Sequence, residues 1–322
     1  MSKSILITGS SGFIGSHLMD RLIDTKVNLV GIDNYCDFYS AQIKRSNAEK
    51  HYLSENVNIY ETDLLNYEVL EDIFKKHSFT HIVHLAAMAG VRPSLENPRL
   101  YDTVNNGSTI NLLDLARRYK VPKFIFASSS SVYGSRLNAP FKEDEDISKP
   151  ISPYAATKVA GEAIVHAITH ASDFMSSVCL RFFTVYGARQ RPDLAIHKFS
   201  ELISLGKPIP VYGDGSYLRD YTYIDDILDG IIKAIDYQTK FEIFNLGESK
   251  TYSVNELISL LEKKLNKKAL ISYQDKVTGD VPMTCADISK AKAMLAYNPQ
   301  TQLNEGLDKF VKWFESKNKI LS

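Results

Sequence analysis

The 322-residue sequence predicts an α/β protein, with a doubly wound parallel sheet first and a smaller C-terminal α/β substrate lobe after it. Three observations predict this. Short apolar runs alternate with segments whose apolar residues recur at helical spacing. The runs are apolar on both faces, as strands covered by helices on both sides must be. Near residue 185 the alternation stops, and arginines, prolines and a Gly-Asp-Gly take its place.

In chain order, strands are expected at SILIT (4–8), NLVGI (28–32), VNIYE (57–61), HIVHLA (81–86), KFIFA (123–127) and SVCLRFF (177–183). Helical spacing follows in Phe13, Ile14, His17, Leu18 and Leu22, then in Val69, Leu70, Ile73 and Phe74, then in Ile110, Leu112, Leu113 and Leu115. In the lobe, Ser253 and Glu256 are spaced as a capping box, and Leu307, Phe310, Val311 and Phe314 mark a last amphipathic helix. The apolar segments within 222–250 suit a return to the sheet. The expected domains are therefore 1–184 with 222–250, and 185–221 with 251–322.

Composition excludes some functions. Lys+Arg and Asp+Glu both number 38, so bulk nucleic-acid binding and a membrane-surface role are not expected. No run approaches the ~18 apolar residues of a membrane span, and the start, MSKSILITGSSG, does not read as a signal peptide. Cys36, Cys179 and Cys285 match no metal or redox spacing, which suits reduced thiols in a cytoplasm.

ITGSSGFIGSHL places Gly9, Gly12 and Gly15 after the first strand and at the mouth of a helix. Glycine lets the backbone approach a pyrophosphate, and the helix N-terminus offers N–H groups and positive dipole charge. Asp33 follows 18 residues past Gly15 at the end of the second strand. An acid there accepts hydrogen bonds from ribose hydroxyls and repels a 2′-phosphate, so the sheet is expected to be a Rossmann domain holding NAD. Asp63-Leu64, after the third strand, is either an adenine contact or a solvated loop. His84 reads as a satisfied core histidine. His166 and His170 share a helix face without a third ligand, and no metal is expected.

SPYAATKVAGE puts Tyr154 and Lys158 four apart on one helix face. A free tyrosine has a pKa of ~10. A neighbouring ammonium favours the phenolate, so this tyrosine can take a proton from a hydroxyl while hydride leaves the same carbon.

With TGSSGFIG, Asp63-Leu64, HLAA (84–87), the serine run ASSSSVYG (127–134) and YAATK, the chain resembles the nucleotide-sugar branch of the extended short-chain dehydrogenases/reductases. The stretches DNYCDFYSAQIKR, MAGVR, TVYGARQRPD and GDVPMTCADISKA are most similar to members that epimerise a UDP-hexuronate. The resemblance implies tightly bound NAD, with Phe13, Ile14, Asn34, Leu85, Ala86 and Ala87 beside it. It also implies Tyr154 as base, Lys158 on the nicotinamide ribose, a UDP-sugar substrate and a homodimer.

By the same resemblance, the residue four before the strand-end Tyr133 hydrogen-bonds the substrate hydroxyl, which designates Ser129. Dehydratases of this kind carry Asp-Glu at the next two positions, and uronate decarboxylases a Glu at the second. This chain has Ser130 and Ser131. Oxidation and re-reduction stay available without an added acid or base, which implies C4 epimerisation of UDP-glucuronate to UDP-galacturonate through a 4-keto sugar. That intermediate is a β-keto acid, and Ser130, Ser131 and Thr184 are expected to hold its carboxylate, with Arg191 balancing the charge. Arg92, Val211, Tyr212, Arg219 and Asp280 complete the expected substrate contacts. The alternatives are a neutral-sugar 4-epimerase for UDP-glucose or UDP-N-acetylglucosamine, a decarboxylase, and a non-catalytic NAD-binding regulator.

Overall fold

The computed structural model describes residues 3–25, 27–136, 138–275 and 281–320. The first half of the chain forms β1 (Ser4–Thr8), β2 (Asn28–Asp33), β3 (Val57–Glu61), β4 (His81–His84), β5 (Lys123–Ser129) and β6 (Ser176–Phe182). The second half adds β7 (Thr184–Tyr186), β8 (Pro208–Tyr212), β9 (Leu218–Tyr223), β10 (Phe241–Leu246), β11 (Thr251–Ser253) and β12 (Leu270–Gln274). One sheet has seven strands in the order β10-β6-β5-β4-β1-β2-β3. From β3 to β5 every pairing is parallel. Chain order reverses between β1 and β4, and a sheet of this kind binds its ligand at the carboxyl ends flanking such a reversal.

The helices are α1 (Phe13–Ile23), α2 (Ala41–Ala48), α3 (Tyr67–Lys76), α4 (Val91–Glu96), α5 (Pro98–Arg118), α6 (Pro153–His170), α7 (Ala195–Ser204), α8 (Ile224–Asp236), α9 (Val254–Leu265), α10 (Ser289–Leu295) and α11 (Leu303–Ile320). Their starts follow side-chain chemistry. Asn66, Asn97 and Ser152 cap α3, α5 and α6 by accepting from the amides of Val69, Leu100 and Ala155. Helices α5 and α6 also open with proline, which has no amide hydrogen to leave unpaired there. Ser253 and Glu256 make the reciprocal capping box of α9.

One face of the sheet buries Leu6, Val30, Ile82, Phe124 and Cys179 against Leu70, Ile73, Leu112, Leu113 and Val165 of α3, α5 and α6. Among the described residues, no helix is long and apolar enough to cross a membrane.

The chain divides into two compact units. The first comprises 1–134, 146–181 and 231–244, and the second 135–145, 182–230 and 245–322. The stretch returning to the first unit is thus shorter than the 222–250 suggested by apolar pattern. It enters the sheet edge, where the Ser177 amide donates to the Lys240 carbonyl at 3.0 Å. Residues 135–145 group with the second unit, because Phe141 and the 285–287 stretch exchange backbone hydrogen bonds of 2.8 and 2.9 Å. Within the second unit, β7, β9 and β11 form one sheet and β8 and β12 another, and α9 packs against α7 and α11.

Candidate active site

The turn after β1 is held by the backbone. Gly9 has φ +66°, and the amides of Gly9 and Ser10 both donate to the Ile32 carbonyl at 2.8 and 3.2 Å. A Cβ on Gly15 would lie 2.0 Å from the Gly9 carbonyl oxygen, and one on Gly9 would meet the Ala86 backbone at 3.0 Å. Helix α1 follows Gly12 with no side-chain cap and no acid in its first turn. Its first amides are left to an anion, so the cradle fits a dinucleotide pyrophosphate. Phe13 and Gly15 are buried in this turn beside Ile14.

Asp33 is buried, and its carboxylate accepts from the Ser11 amide at 3.1 Å and the Tyr35 amide at 2.9 Å. Each oxygen keeps acceptor capacity for a ribose hydroxyl. Asn34 donates to Asp63 Oδ2 at 2.8 Å, while Asp63 Oδ1 closes its own turn on the Leu65 amide. Asp63 therefore orients Asn34 rather than standing as a solvated loop acid. Leu64 is buried, and its carbonyl accepts from Asn111 at 2.9 Å.

His84 occupies the core with both ring nitrogens bonded. Thr109 gives its own proton to the Asn105 carbonyl at 2.7 Å, so at 3.1 Å it accepts from His84 Nε2. His84 Nδ1 then accepts from Thr8 at 2.8 Å, and Thr8 receives the amides of Leu85 and Ala86, each at 3.2 Å. Burial, with Lys158 nearby, pushes the His84 pKa down to about 3, so the ring is neutral. The stretch Leu85-Ala86-Ala87 is thereby tied to the end of β1.

Tyr154 lies half-buried on the first turn of α6, and Lys158 is fully buried one turn on. The Lys158 ammonium donates to the Ala127 carbonyl at 2.7 Å and lies 5.9 Å from the centre of the Tyr154 ring. Burial lowers the Lys158 pKa to about 8, with Glu162 opposing the shift. Tyr101 meets the Tyr154 ring edge-on at 6.3 Å.

Ser129 ends β5, and Ser130–Tyr133 form a 3₁₀ turn. Ser129 Oγ accepts from the Ser131 amide at 3.2 Å and from Ser131 Oγ at 2.9 Å, so neither bond uses its own proton. Arg92 is exposed on α4, after the positive-φ Gly90.

The second unit carries the remaining candidates. Thr184 starts β7 half-buried. Arg191 forms a two-point ion pair with Asp193 at 2.9 and 2.7 Å, so the positive charge expected to balance a substrate carboxylate already faces an acid. Val211 is 1% exposed, which leaves its backbone rather than its side chain for a ligand, and Tyr212 is half-buried beside it. Arg219 donates to the Leu218 carbonyl and lies over Tyr217. Asp280 lies outside the described residues.

Two positioning residues escaped the sequence reading. Asn105 pairs with both the amide and the carbonyl of Met88 at 2.8 and 3.0 Å and donates to Thr157 at 3.0 Å. Thr157 in turn donates to the Tyr154 carbonyl at 2.8 Å. An amide on the buried stripe of α5, between Tyr101 and Leu112, was the available signal.

Parallel sheet, glycine turn and Tyr–Lys helix together define an extended short-chain dehydrogenase/reductase. A family model described as GDP-mannose 4,6 dehydratase matches residues 6–310, and the chain belongs to that family. A UDP-glucuronate 4-epimerase of Thermodesulfobacterium geofontis is 40% identical over 98% of this chain and 97% of its own length. The crystal structure of UDP-glucuronic acid 4-epimerase from Bacillus cereus, in complex with UDP-glucuronic acid and NAD, superposes with a TM-score of 0.91. It is 36% identical and covers 98% of this chain and 99% of its own. UDP-glucose 4-epimerase of Thermotoga maritima, solved with UDP-glucose, superposes at 0.89 with 31% identity, covering 98% of this chain and 99% of its own.

Proposed function

We propose that this chain is an NAD-dependent UDP-hexuronate 4-epimerase that interconverts UDP-glucuronate and UDP-galacturonate. The observation that carries the proposal is the pairing of a Tyr154–Lys158 base helix with a strand-end turn whose Ser129, Ser130 and Ser131 bring hydroxyls and no carboxylate. The family description names a dehydratase, but elimination of water requires an added acid and base that this turn does not supply.

Gly9, Gly12, Phe13, Ile14, Gly15, Asp33, Asn34, Asp63, Leu64, Leu85, Ala86 and Ala87, with Tyr154 and Lys158, would hold NAD. When bound, NAD supplies a reversible hydride acceptor. Tyr154 takes the proton from the sugar O4, and Ser129 directs its hydroxyl to the same oxygen. The Lys158 ammonium favours the phenolate through its positive field. After the 4-keto sugar presents its other face, Tyr154 returns the proton and C4 is inverted. Ser130 and Ser131 hold the uronate carboxylate out of the alignment that releases carbon dioxide. Thr184 joins them on the carboxylate and Arg191 balances its charge, while Arg92, Val211, Tyr212, Arg219 and Asp280 are the proposed contacts to the rest of the UDP-sugar. The same reading makes the enzyme a homodimer in the cytoplasm, where Cys36, Cys179 and Cys285 stay reduced.

The Arg191–Asp193 pair favours a second reading, a UDP-glucose or UDP-N-acetylglucosamine 4-epimerase, because it leaves a substrate carboxylate with less cationic help. Incubating purified protein with each UDP-sugar, without added cofactor, and resolving products by NMR separates the two. UDP-galacturonate formed from UDP-glucuronate supports the first reading. Turnover of neutral sugars alone overturns it in favour of the second.

A further inference from the structure

Beneath the serine turn lies an ion pair that the proposed chemistry does not use. Arg181, at the end of β6, forks onto Glu162 of α6, with Nε to Oε1 at 2.9 Å and NH2 to Oε2 at 2.8 Å. The two side chains are 2% and 4% exposed. Ser128 Oγ donates to Glu162 Oε1 at 2.5 Å, and Arg181 NH1 donates to the Tyr133 hydroxyl at 3.0 Å. The pair therefore grips β5 one residue before Ser129 and also the tyrosine that closes the turn. On the helix side, Glu162 sits one turn beyond Lys158, whose ammonium is bonded to Ala127, the neighbour of Ser128.

Burying two ions is a weak way to stabilise a fold, since desolvation offsets most of their attraction and apolar replacements often do as well. Geometry is what a two-point Arg–carboxylate fork supplies. We propose that Glu162 and Arg181 are positioning residues that fix the Ser129–Ser131 turn against the Tyr154–Lys158 face of α6. The proposal rests on the functional reading above.

An electrostatic consequence follows. The groups facing Lys158 are Tyr154 and Glu162 on its own helix, Cys179 from β6, and His84 from β4. His84 is neutral, and burial raises the Cys179 thiol well above its usual range. Glu162 is thus the anion among them that keeps the lysine charged, and removing it lowers the Lys158 pKa further.

The test is the double variant Glu162→Gln/Arg181→Met, which leaves no unpaired buried charge, with Ser128→Ala and Tyr133→Phe as single-bond variants. Wild-type enzyme is assayed on UDP-glucuronate in parallel. For the double variant we expect kcat about tenfold lower at an unchanged KM, with the alkaline limb of its pH profile moved to lower pH. Ser128→Ala and Tyr133→Phe should each lower kcat by about threefold. Normal kcat and pH profile in a folded double variant overturn the proposal, as do normal values in both single variants should the double variant fail to fold. Absence of turnover in the wild type sinks the functional reading instead.

Discussion

The two turns that end β1 and β5 solve different problems with different parts of the chain. After β1, residues 9–15 present backbone: glycine is needed because a Cβ on Gly15 would sit 2.0 Å from a carbonyl oxygen. After β5, residues 129–131 present hydroxyls, and their placement depends on the side chains of Ser128, Glu162, Arg181 and Tyr133 beneath them. A backbone cradle is fixed by local sterics and tolerates little change. A side-chain turn is held by contacts that single substitutions can remove one at a time.

The sharpest way to break the comparison is at the base. Tyr154→Phe removes one proton-transfer group and should lower kcat by about 10³-fold, while the protein purifies with its NAD still bound. Loss of NAD along with activity would show that the base and the cofactor cradle are not separable. Gly15→Ala is the converse. The first turn must move to admit the methyl group, so released NAD, measured by chromatography of the denatured protein, should fall by about tenfold or more. Added NAD should then restore part of the rate.

Lys158 gives the comparison a pH axis. Its pKa is lowered from 10.5 to about 8, chiefly by burial, with Glu162 opposing. The ammonium is present below that value and lost above it, so activity that needs the charge falls as pH rises through about 8. Folding stability of the cofactor-free protein responds with the opposite sign. Between about 8 and 10.5 the unfolded chain keeps a proton that the folded chain has released. This group's contribution to stability therefore rises with pH, by at most about 1.4 kcal/mol per pH unit. Parallel kcat and urea-unfolding profiles check both signs. A kcat that stays level through pH 9 removes the ammonium from the mechanism.

What the sequence made legible follows the same division. Glycines in a turn, an acid at the end of β2 and a tyrosine four residues before a lysine are local patterns, so the proposed cradle and base helix rest on signals the sequence displays directly. Arg181 looked like one polar residue in an apolar strand, and Glu162 like an ordinary helix acid. Their bond spans 19 positions and exists only after β6 and α6 are packed. Asn105 was hidden for the same reason, since it acts on Met88 and Thr157, both remote in sequence. Arg191 was assigned by residue type, yet Asp193 two residues later was already in view as its partner. The division into units was legible only coarsely, because apolar pattern marks a strand but not which neighbours a loop such as 135–145 will join.

The smallest effect concerns product rather than rate. Ser131 gives its proton to Ser129 at 2.9 Å, so donating to a substrate carboxylate requires its hydroxyl to turn. Exchanging one hydrogen bond for another yields a modest net gain, about 0.5–1.5 kcal/mol. Ser131→Ala should therefore leave kcat within about threefold and raise the decarboxylated pentose product by about 3- to 10-fold. The carboxylate, held by fewer donors, reaches the alignment in which a β-keto acid loses carbon dioxide more often. NMR of the UDP-sugar mixture reads the ratio directly. An unchanged ratio would mean that the serine turn governs proton transfer alone, with the carboxylate held by groups outside it.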